Sequence, residues 1–462
     1  MHYKSTRGQV AGIGFIDAIL MGLADDGGLL VPEYIPQVSA ETLKSWQSLS
    51  YVELATEIFS LFVNDEIPRS DLEKLVQDSY GTFRHPEVTP VRKLRDNRYV
   101  MELFHGPTFA FKDVALQFLG NLYAYVSRKT GSVIHILGAT SGDTGASAIE
   151  GVRGKEGIRI CILHPHQKVS KVQELQMTTV DDANVLNLAV EGTFDDCQRI
   201  IKELFADVDF KHRYHLRAIN SINIARILAQ TVYYFYAYLQ LAKQGLADKL
   251  NFSVPTGNFG DIFAGYLAQR MGLPIHKLIL ATNENNILER FVNEGVYQPG
   301  EFRGTYSPSM DIQVASNFER YLFYLYGENT EDAAALMSLV KTEGKLVIPD
   351  DKKATVAADF AAHAVENDEC LAVISQYYDD YSYLLDPHTA CGVAAADQLT
   401  GTDEVTVTLS TAHPAKFNEA IALCEIKQSY PEQIEALFSK PQHLKIVKGT
   451  NEAVQDELVR FF

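Results

Sequence analysis

The sequence predicts an α/β fold with mainly parallel sheets, preceded by a helical N-terminal unit. Two observations carry that expectation. From about residue 86 onward, short β-branched runs are each followed by a glycine-rich turn and a helix-period segment, whereas the first 85 or so residues show helix-period apolar faces without such alternation. Strands alternating with helices at this spacing build βαβ units, whose crossovers make neighbouring strands parallel and cover the sheet on both faces.

In the N-terminal stretch, "GFIDAILMGLA" ends at the turn signal "DDGG", and "YVELATEIFSLFV" and "DLEKLVQDSY" follow with apolar residues on one helical face. "RYVMELF" then reads as a short strand, with β-prone Tyr99, Val100 and Phe104 bounded by His105-Gly106-Pro107. Beyond it Ala115, Phe118, Leu119, Leu122 and Val126 recur at helical spacing, which puts Lys112 at a helix N-terminus. "SVIHILGA" leads through "TSGDTG" into "ASAIEGVR"; "IRICILHP" follows; "ANVLNLAV" leads through "EGTF" into "DDCQRIIKELF". "LNFSVPTG" passes through "NFGD" into "IFAGYLAQRM", and "HKLILATN" into "ENNILERFV". The acidic stretch "ENTEDAAALMSL" reads as a solvated helix start whose charges suit the positive end of the helix dipole. No internal repeat, low-complexity tract or Pro/Ser-rich linker interrupts the pattern.

At 462 residues the chain is long enough for two or three domains, and with 46% hydrophobic and 22% charged residues it has ordinary globular composition. Lys and Arg number 41 against 59 Asp and Glu, a formal charge of −18, which is the wrong sign for a protein that wraps nucleic acid. Any anionic small ligand must be held by local donors against that field. Cys161, Cys197, Cys370, Cys391 and Cys424 are odd in number and widely spaced, with no CxxC pair, so no metal site is expected and the thiols read as buried in a reducing compartment. "MHYKSTRGQV" lacks the apolar stretch of a secretory signal, and no run of about eighteen apolar residues occurs, so the expectation is a cytoplasmic protein without membrane contact.

Two strand-turn-helix junctions are rich in glycine and small polar residues: "GATSGDTGAS" and "PTGNFGDIFAG". The first N–H groups of a helix lack internal partners, and glycine permits close approach of a ligand oxygen, so each junction is a candidate phosphate or carboxylate cradle. Neither matches GxGxxG or GxxxxGK[ST], which excludes the dinucleotide and P-loop patterns; each could equally be only a tight connection. In "AINSINIARILAQT", Asn220, Ser221 and Asn223 precede Arg226 on the opening turn of a helix. They read either as an N-cap or as a phosphate clamp of amide, hydroxyl and guanidinium donors. "EVTVTLSTAHPAKF" gives a strand ending at Ser410 and Thr411, where a hydroxyl can donate to a neutral ring nitrogen.

Lys112 brings these segments into one chemistry. At a helix N-terminus, with Phe109 and Phe111 as apolar flanks, its ammonium form is disfavoured, and a neutral amine can condense with an aldehyde. The competing reading is a solvent-facing lysine paired with Asp113.

From "STRG" and "GLADDGGLLVPE" through "HGPTFAFKD", "LGATSGDTG", "HQKVSKVQ", "NSINIAR" and "PTGNFGD" to "DPHTACG" and "STAHPAKF", the chain resembles the threonine synthase family, in the tryptophan-synthase-β-like group of pyridoxal phosphate enzymes. The resemblance runs nearly end to end. It implies fold type II: two three-layer lobes, with residues 86–240 forming a small lobe and 241–462 a large one after the helical unit 1–85. It also implies pyridoxal 5'-phosphate as cofactor, held as a Schiff base by Lys112 next to Phe111. Gly257, Asn258, Phe259, Gly260 and Asp261 resemble the loop whose amides bind the cofactor phosphate. Thr411, with Ser410 as the alternative, is similar to the hydroxyl residue that meets the pyridine nitrogen. Thr140, Ser141, Asp143 and Thr144 resemble the cradle for the substrate α-carboxylate. Asn220, Ser221, Asn223 and Arg226 resemble the group that grips the substrate phosphate. An ionised Asp143 beside a carboxylate would be repulsive, so it is expected to act through its backbone N–H or to share a proton.

The reaction implied is conversion of O-phospho-L-homoserine and water to L-threonine and phosphate, with a monomer expected and a homodimer as the alternative. A serine or threonine dehydratase, or a related phospho-lyase, is the neighbouring possibility, and a non-catalytic anion-binding protein is the distant one. "NSINIAR" argues against a dehydratase, which needs no second phosphate clamp.

Overall fold

The computed structural model describes residues 1–140, 142–246 and 248–462. Two compact units are discontinuous in sequence: one comprises Met1–Glu73, Arg84–His105 and Ser221–Lys427, the other Lys74–Phe83, Gly106–Asn220 and Gln428–Phe462. This cut differs from the ranges 1–85, 86–240 and 241–462, because strands far apart in sequence share one sheet.

The first unit is built on a six-stranded sheet in the order Phe360–Ala364, Ile275–Thr282, Leu250–Pro255, Thr406–Ser410, Arg98–Glu102 and Val91–Arg95. All neighbours are parallel except the last pair, which is antiparallel. Every residue of Leu250–Pro255, Thr406–Ser410 and Arg98–Glu102 is buried. Successive side chains of a strand point to opposite faces, so full burial means both faces are covered, as the α/β reading requires. The stretch "RYVMELF" thus supplies the interior strand Arg98–Glu102, and the Leu103 N–H extends its ladder by donating to Ser410 O at 2.9 Å.

The N-terminal stretch in this unit is helical, as expected, with helices Phe15–Met21, Ala40–Trp46 and Tyr51–Val63. The last starts at a reciprocal cap in which Ser50 and Glu53 each bond the other's backbone. A small antiparallel pair, Tyr3–Ser5 with Leu30–Pro32, accompanies them.

The second unit holds a five-stranded parallel sheet in the order Lys445–Lys448, Val185–Glu191, Ile158–Pro165, Ile134–Ala139 and Leu216–Ala218. Its core joins Leu137, Leu163 and Leu188 from the strands to Ile200 and Leu204 from helix Phe194–Ala206 and to Val454 and Leu458 near the C-terminus. Helix Lys112–Thr130 packs against helix Asp143–Val152 at a crossing where neither chain tolerates a side chain. A Cβ on Gly120 would lie 2.1 Å from Gly151 O, and one on Gly151 would lie 2.6 Å from Leu116 O. Two glycines therefore set the close approach of the helices that carry Lys112 and Asp143.

Candidate active site

Lys112 opens its helix, and the local sequence explains why the chain turns there. Thr108 donates from its N–H and from its hydroxyl to the two carboxylate oxygens of Asp113, both at 2.7 Å. A Cβ on Gly106 would fall 2.4 Å from Asp113 Cβ, so the turn closes only over glycine. Asp113 is thereby engaged in closing the turn. Lys112 is not the solvent-facing residue of the competing reading: its side chain is 12% exposed, and Nζ lies 3.6 Å from Asp143 Oδ2 and 5.4 Å from the centre of the Phe111 ring. Burial and the helix N-terminus favour the neutral amine, while the carboxylate favours the ammonium form. Only the first pull is visible in the sequence, because Asp143 lies 31 positions away.

Asp143 and Thr144 are the first residues of helix Asp143–Val152, and Ser141 lies outside the described residues. Asp143 is buried, and its Oδ1 accepts from Gln173 Nε2 at 2.7 Å. Gln173 is oriented in turn because its Oε1 accepts from the Ser170 hydroxyl at 2.9 Å. Sequence reasoning gave Gln173 no role; its signal was the motif "HQKVSKVQ", in which it is the last residue. Thr140 Oγ1 accepts from the N–H groups of Gly142 and Gly145, each at 3.0 Å. Part of this cradle's donor set is therefore consumed by the protein itself.

The unit that contains Leu250–Pro255 is arranged differently at the matching place. Helix Gly260–Arg270 begins after Phe259, whose backbone is left-handed with φ 66°. Gly260 N–H donates to Asn258 Oδ1 at 3.0 Å, while the N–H groups of Gly257, Asn258, Phe259 and Asp261 donate to nothing among the described residues. A Cβ on Gly257 would lie 3.0 Å from both Met310 Cα and Ser309 O. Asp261 turns its carboxyl away from these amides: Oδ1 accepts from Tyr233 at 2.5 Å and Tyr234 at 2.9 Å. Burial pushes this carboxyl up to about 7 against the pull of the two tyrosine hydroxyls.

In the same unit, Asn223 caps helix Ile224–Lys243, its Oδ1 accepting from Ala225 N–H at 3.1 Å and its Nδ2 donating to Ile19 O at 2.9 Å. The capping reading of this asparagine therefore holds, and its amide also ties the helix start to the N-terminal stretch. Arg226, one turn on, is 4% exposed, and no acceptor for its guanidinium is found among the described residues; Nε is fully buried and unpartnered. Burial lowers it to about 10, so it stays charged near neutrality. Ser221 is half-buried beside this helix start. Asn220, in the other unit, keeps a buried Oδ1 without a partner among the described residues, and half a turn of the amide presents its N–H₂ instead.

At the end of strand Thr406–Ser410, Thr411 N–H donates to Thr389 Oγ1 at 3.3 Å, and Ser410 Oγ lies 3.2 Å from the same oxygen. Thr389 itself donates to Asp386. Ser410's hydroxyl is thus engaged internally, whereas Thr411 Oγ1 makes no hydrogen bond to the described residues, which favours Thr411 as the hydroxyl open to a ligand.

Models of known families divide the chain among three descriptions: "Threonine synthase N terminus" over residues 2–80, "Pyridoxal-phosphate dependent enzyme" over 83–361 and "Threonine synthase, C-terminal" over 389–458. The chain is 47% identical over 458 residues to the threonine synthase of Pseudomonas aeruginosa, covering 98% of this chain and 97% of that one. The chain belongs to the threonine synthase family. Another member, from Schizosaccharomyces pombe, is also 47% identical, covering 91% of this chain and 88% of that one. The crystal structure of the pyridoxal-phosphate-bound threonine synthase from Brucella melitensis superimposes with a TM-score of 0.97 at 44% identity, covering 100% of this chain and 99% of that one. The fold is therefore that of the fold-type-II pyridoxal phosphate enzymes, and the protein is a pyridoxal-phosphate-dependent lyase of threonine biosynthesis.

The residues present fit that cofactor. A nearly buried lysine amine suits an aldehyde, and a helix N-terminus with four N–H groups uncommitted among the described residues suits a phosphate.

Proposed function

We propose that the reaction is γ-elimination of phosphate from O-phospho-L-homoserine followed by β-addition of water, giving L-threonine. The observation that carries this reading is Arg226. An unpaired guanidinium inside a protein costs several kcal/mol unless a partner arrives, and a phosphate dianion is a partner of the right charge and shape.

Each group then has a task. Gly257, Asn258, Phe259 and Asp261 take the cofactor phosphate on their backbone N–H groups, and Thr411 donates to the ring nitrogen. Lys112 holds the cofactor covalently through Nζ. When bound, pyridoxal phosphate supplies the electron sink for charge developing on the substrate carbons. The Lys112 amine, when free, would carry protons between Cα, Cβ and Cγ of the substrate in turn, since its side chain is long enough to follow them. Asp143, 3.6 Å from Nζ and fixed by Gln173, stabilises the amine each time it is protonated. That is a clearer use for its carboxylate than contact with the substrate carboxylate. Thr140, Ser141 and Thr144 hold the α-carboxylate. Asn220, Ser221 and Arg226 align the γ-phosphate, Asn223 fixes the start of the helix that carries Arg226, and Arg226 stabilises the charge that grows on the phosphate as the C–O bond breaks.

Borohydride reduction of the cofactor-loaded protein, followed by peptide mapping, should leave the label on the peptide that carries Lys112. Turnover should be measurable with O-phospho-L-homoserine and negligible with L-serine. Equal turnover of the two would overturn the substrate assignment.

A monomer in the cytoplasm remains the proposal for state and location. The location is supported by five free cysteines, as a reducing compartment would keep them. A sedimentation mass near 51.5 kDa is the expected result.

A further inference from the structure

We infer that Arg320 is a positioning residue that holds two anion sites in register, the turn that takes the cofactor phosphate and the start of the helix that carries Arg226. The inference rests on the roles proposed above for those two segments.

Arg320 heads the largest fully buried side chains, at 0% exposure. No carboxylate pairs with it among the described residues. Its neighbour Glu319 is engaged with Thr6 at 2.6 Å and Arg7 at 2.8 Å. The guanidinium instead spreads its donors over three acceptors: Nε donates to Leu30 O at 3.0 Å, Nη1 to Asn317 Oδ1 at 2.5 Å and Nη2 to Ile222 O at 2.5 Å. Burying a cation on neutral acceptors is costly compared with a well-packed apolar side chain, so the three tethers call for a purpose beyond stability.

Two of them lead to anion sites. Asn317, held through its Oδ1 by Arg320, donates to Asn258 O from its own N–H at 3.0 Å and from Nδ2 at 3.3 Å. Asn258 Oδ1 in turn accepts from Gly260 N–H at 3.0 Å. A connected path therefore runs from the guanidinium into the middle of the phosphate turn. The other tether grips Ile222 O, directly before the cap Asn223 and four positions before Arg226. The third, on Leu30, adds the small N-terminal strand pair. Only a planar fork with divergent N–H groups reaches three such acceptors at once; a lysine ammonium on a flexible stem does not reproduce that geometry.

The test uses the full-length enzyme in two variants. Arg320→Lys should weaken binding of pyridoxal phosphate to the apo enzyme by about tenfold, and at saturating cofactor should raise KM for O-phospho-L-homoserine by about tenfold with kcat nearly unchanged. Asn317→Ala should also lower cofactor affinity and leave KM within about twofold, because it removes the Arg320 tether and the Nδ2 bond of the arm to the phosphate turn, keeps the backbone N–H bond to Asn258 O, and leaves the Ile222 tether in place. The inference is overturned if Arg320→Lys leaves either quantity unchanged, or if Asn317→Ala moves KM as far as Arg320→Lys does. Should Arg320→Lys fail to fold, Asn317→Ala decides alone: weaker cofactor binding at unchanged KM supports the path, and unchanged cofactor binding sinks it. Absence of turnover of O-phospho-L-homoserine by the unmodified enzyme would instead strike the functional reading, so the two failures are told apart.

Discussion

Two glycine-rich strand-turn-helix junctions look alike in sequence, yet the structure gives them opposite characters. At residues 140–145 the Thr140 hydroxyl captures two backbone N–H groups, and the helix opens with an acid facing an amine. At residues 257–261 four N–H groups stay open among the described residues, the acid is turned away onto two tyrosines, and a buried cation reaches the turn through Asn317. Glycine content alone does not say whether a helix N-terminus is available to an anion. What decides is whether a neighbouring side chain has already taken the amides. The first junction is suited to handling protons next to a small carboxylate, the second to static capture of a phosphate.

Breaking the first junction's amine should have the largest effect. Lys112→Ala should lower kcat by about 10³-fold or more and abolish borohydride-fixed label, as read by mass spectrometry. Arg226→Ala comes next: kcat/KM for O-phospho-L-homoserine should fall by about 10²- to 10³-fold while the cofactor stays bound, as followed by its absorbance. An unchanged kcat/KM would remove the clamp from the mechanism. At the second junction Gly257→Ala presses a Cβ against the backbone of Ser309 and Met310, so cofactor affinity should drop by about tenfold in a fluorescence titration. Gly260→Ala meets only the side-chain ends of Asn258 and Asn317 at 3.1 Å and should cost less. Thr140→Val should release the amides of the first junction, with a loss of about 1 kcal/mol in urea unfolding.

The subtlest contrast concerns the two acids. Asp261, raised from 3.8 to about 7 by burial, binds its proton more tightly in the folded than in the unfolded chain. Its contribution to stability therefore falls as pH rises between those values and levels off above them. In the apo enzyme, Asp261→Asn should flatten the decline of Tm between about pH 5 and about pH 8. An identical slope in both proteins would mean that the tyrosines hold Asp261 ionised.

Much of the fold was legible because its signals are local. Alternating strand and helix periods located the strands at Ile134–Ala139, Ile158–Pro165, Leu250–Pro255 and Ile275–Thr282, and for all but Ile158–Pro165 the turn that follows marked the next helix. Strands Phe360–Ala364 and Lys445–Lys448 carried no comparable signal. The first is the alanine-rich "FAAHA", and the second lies exposed at a sheet edge, so neither needs a β-branched buried run. Lys112 was legible as a helix-opening lysine, but the acid 31 positions later that balances it was not legible as its partner.

The sequence by itself determined the α/β class, the two helix N-termini and the lysine between an aromatic turn and a helix, because propensity, capping and periodicity act over a few residues. Tertiary structure alone decided which amides remain open, which acid faces the amine and which arginines are buried without a carboxylate. Those outcomes depend on groups far apart in the chain, as when Arg320 joins Leu30, Ile222 and Asn317, and on the loss of water that makes an unpaired charge costly.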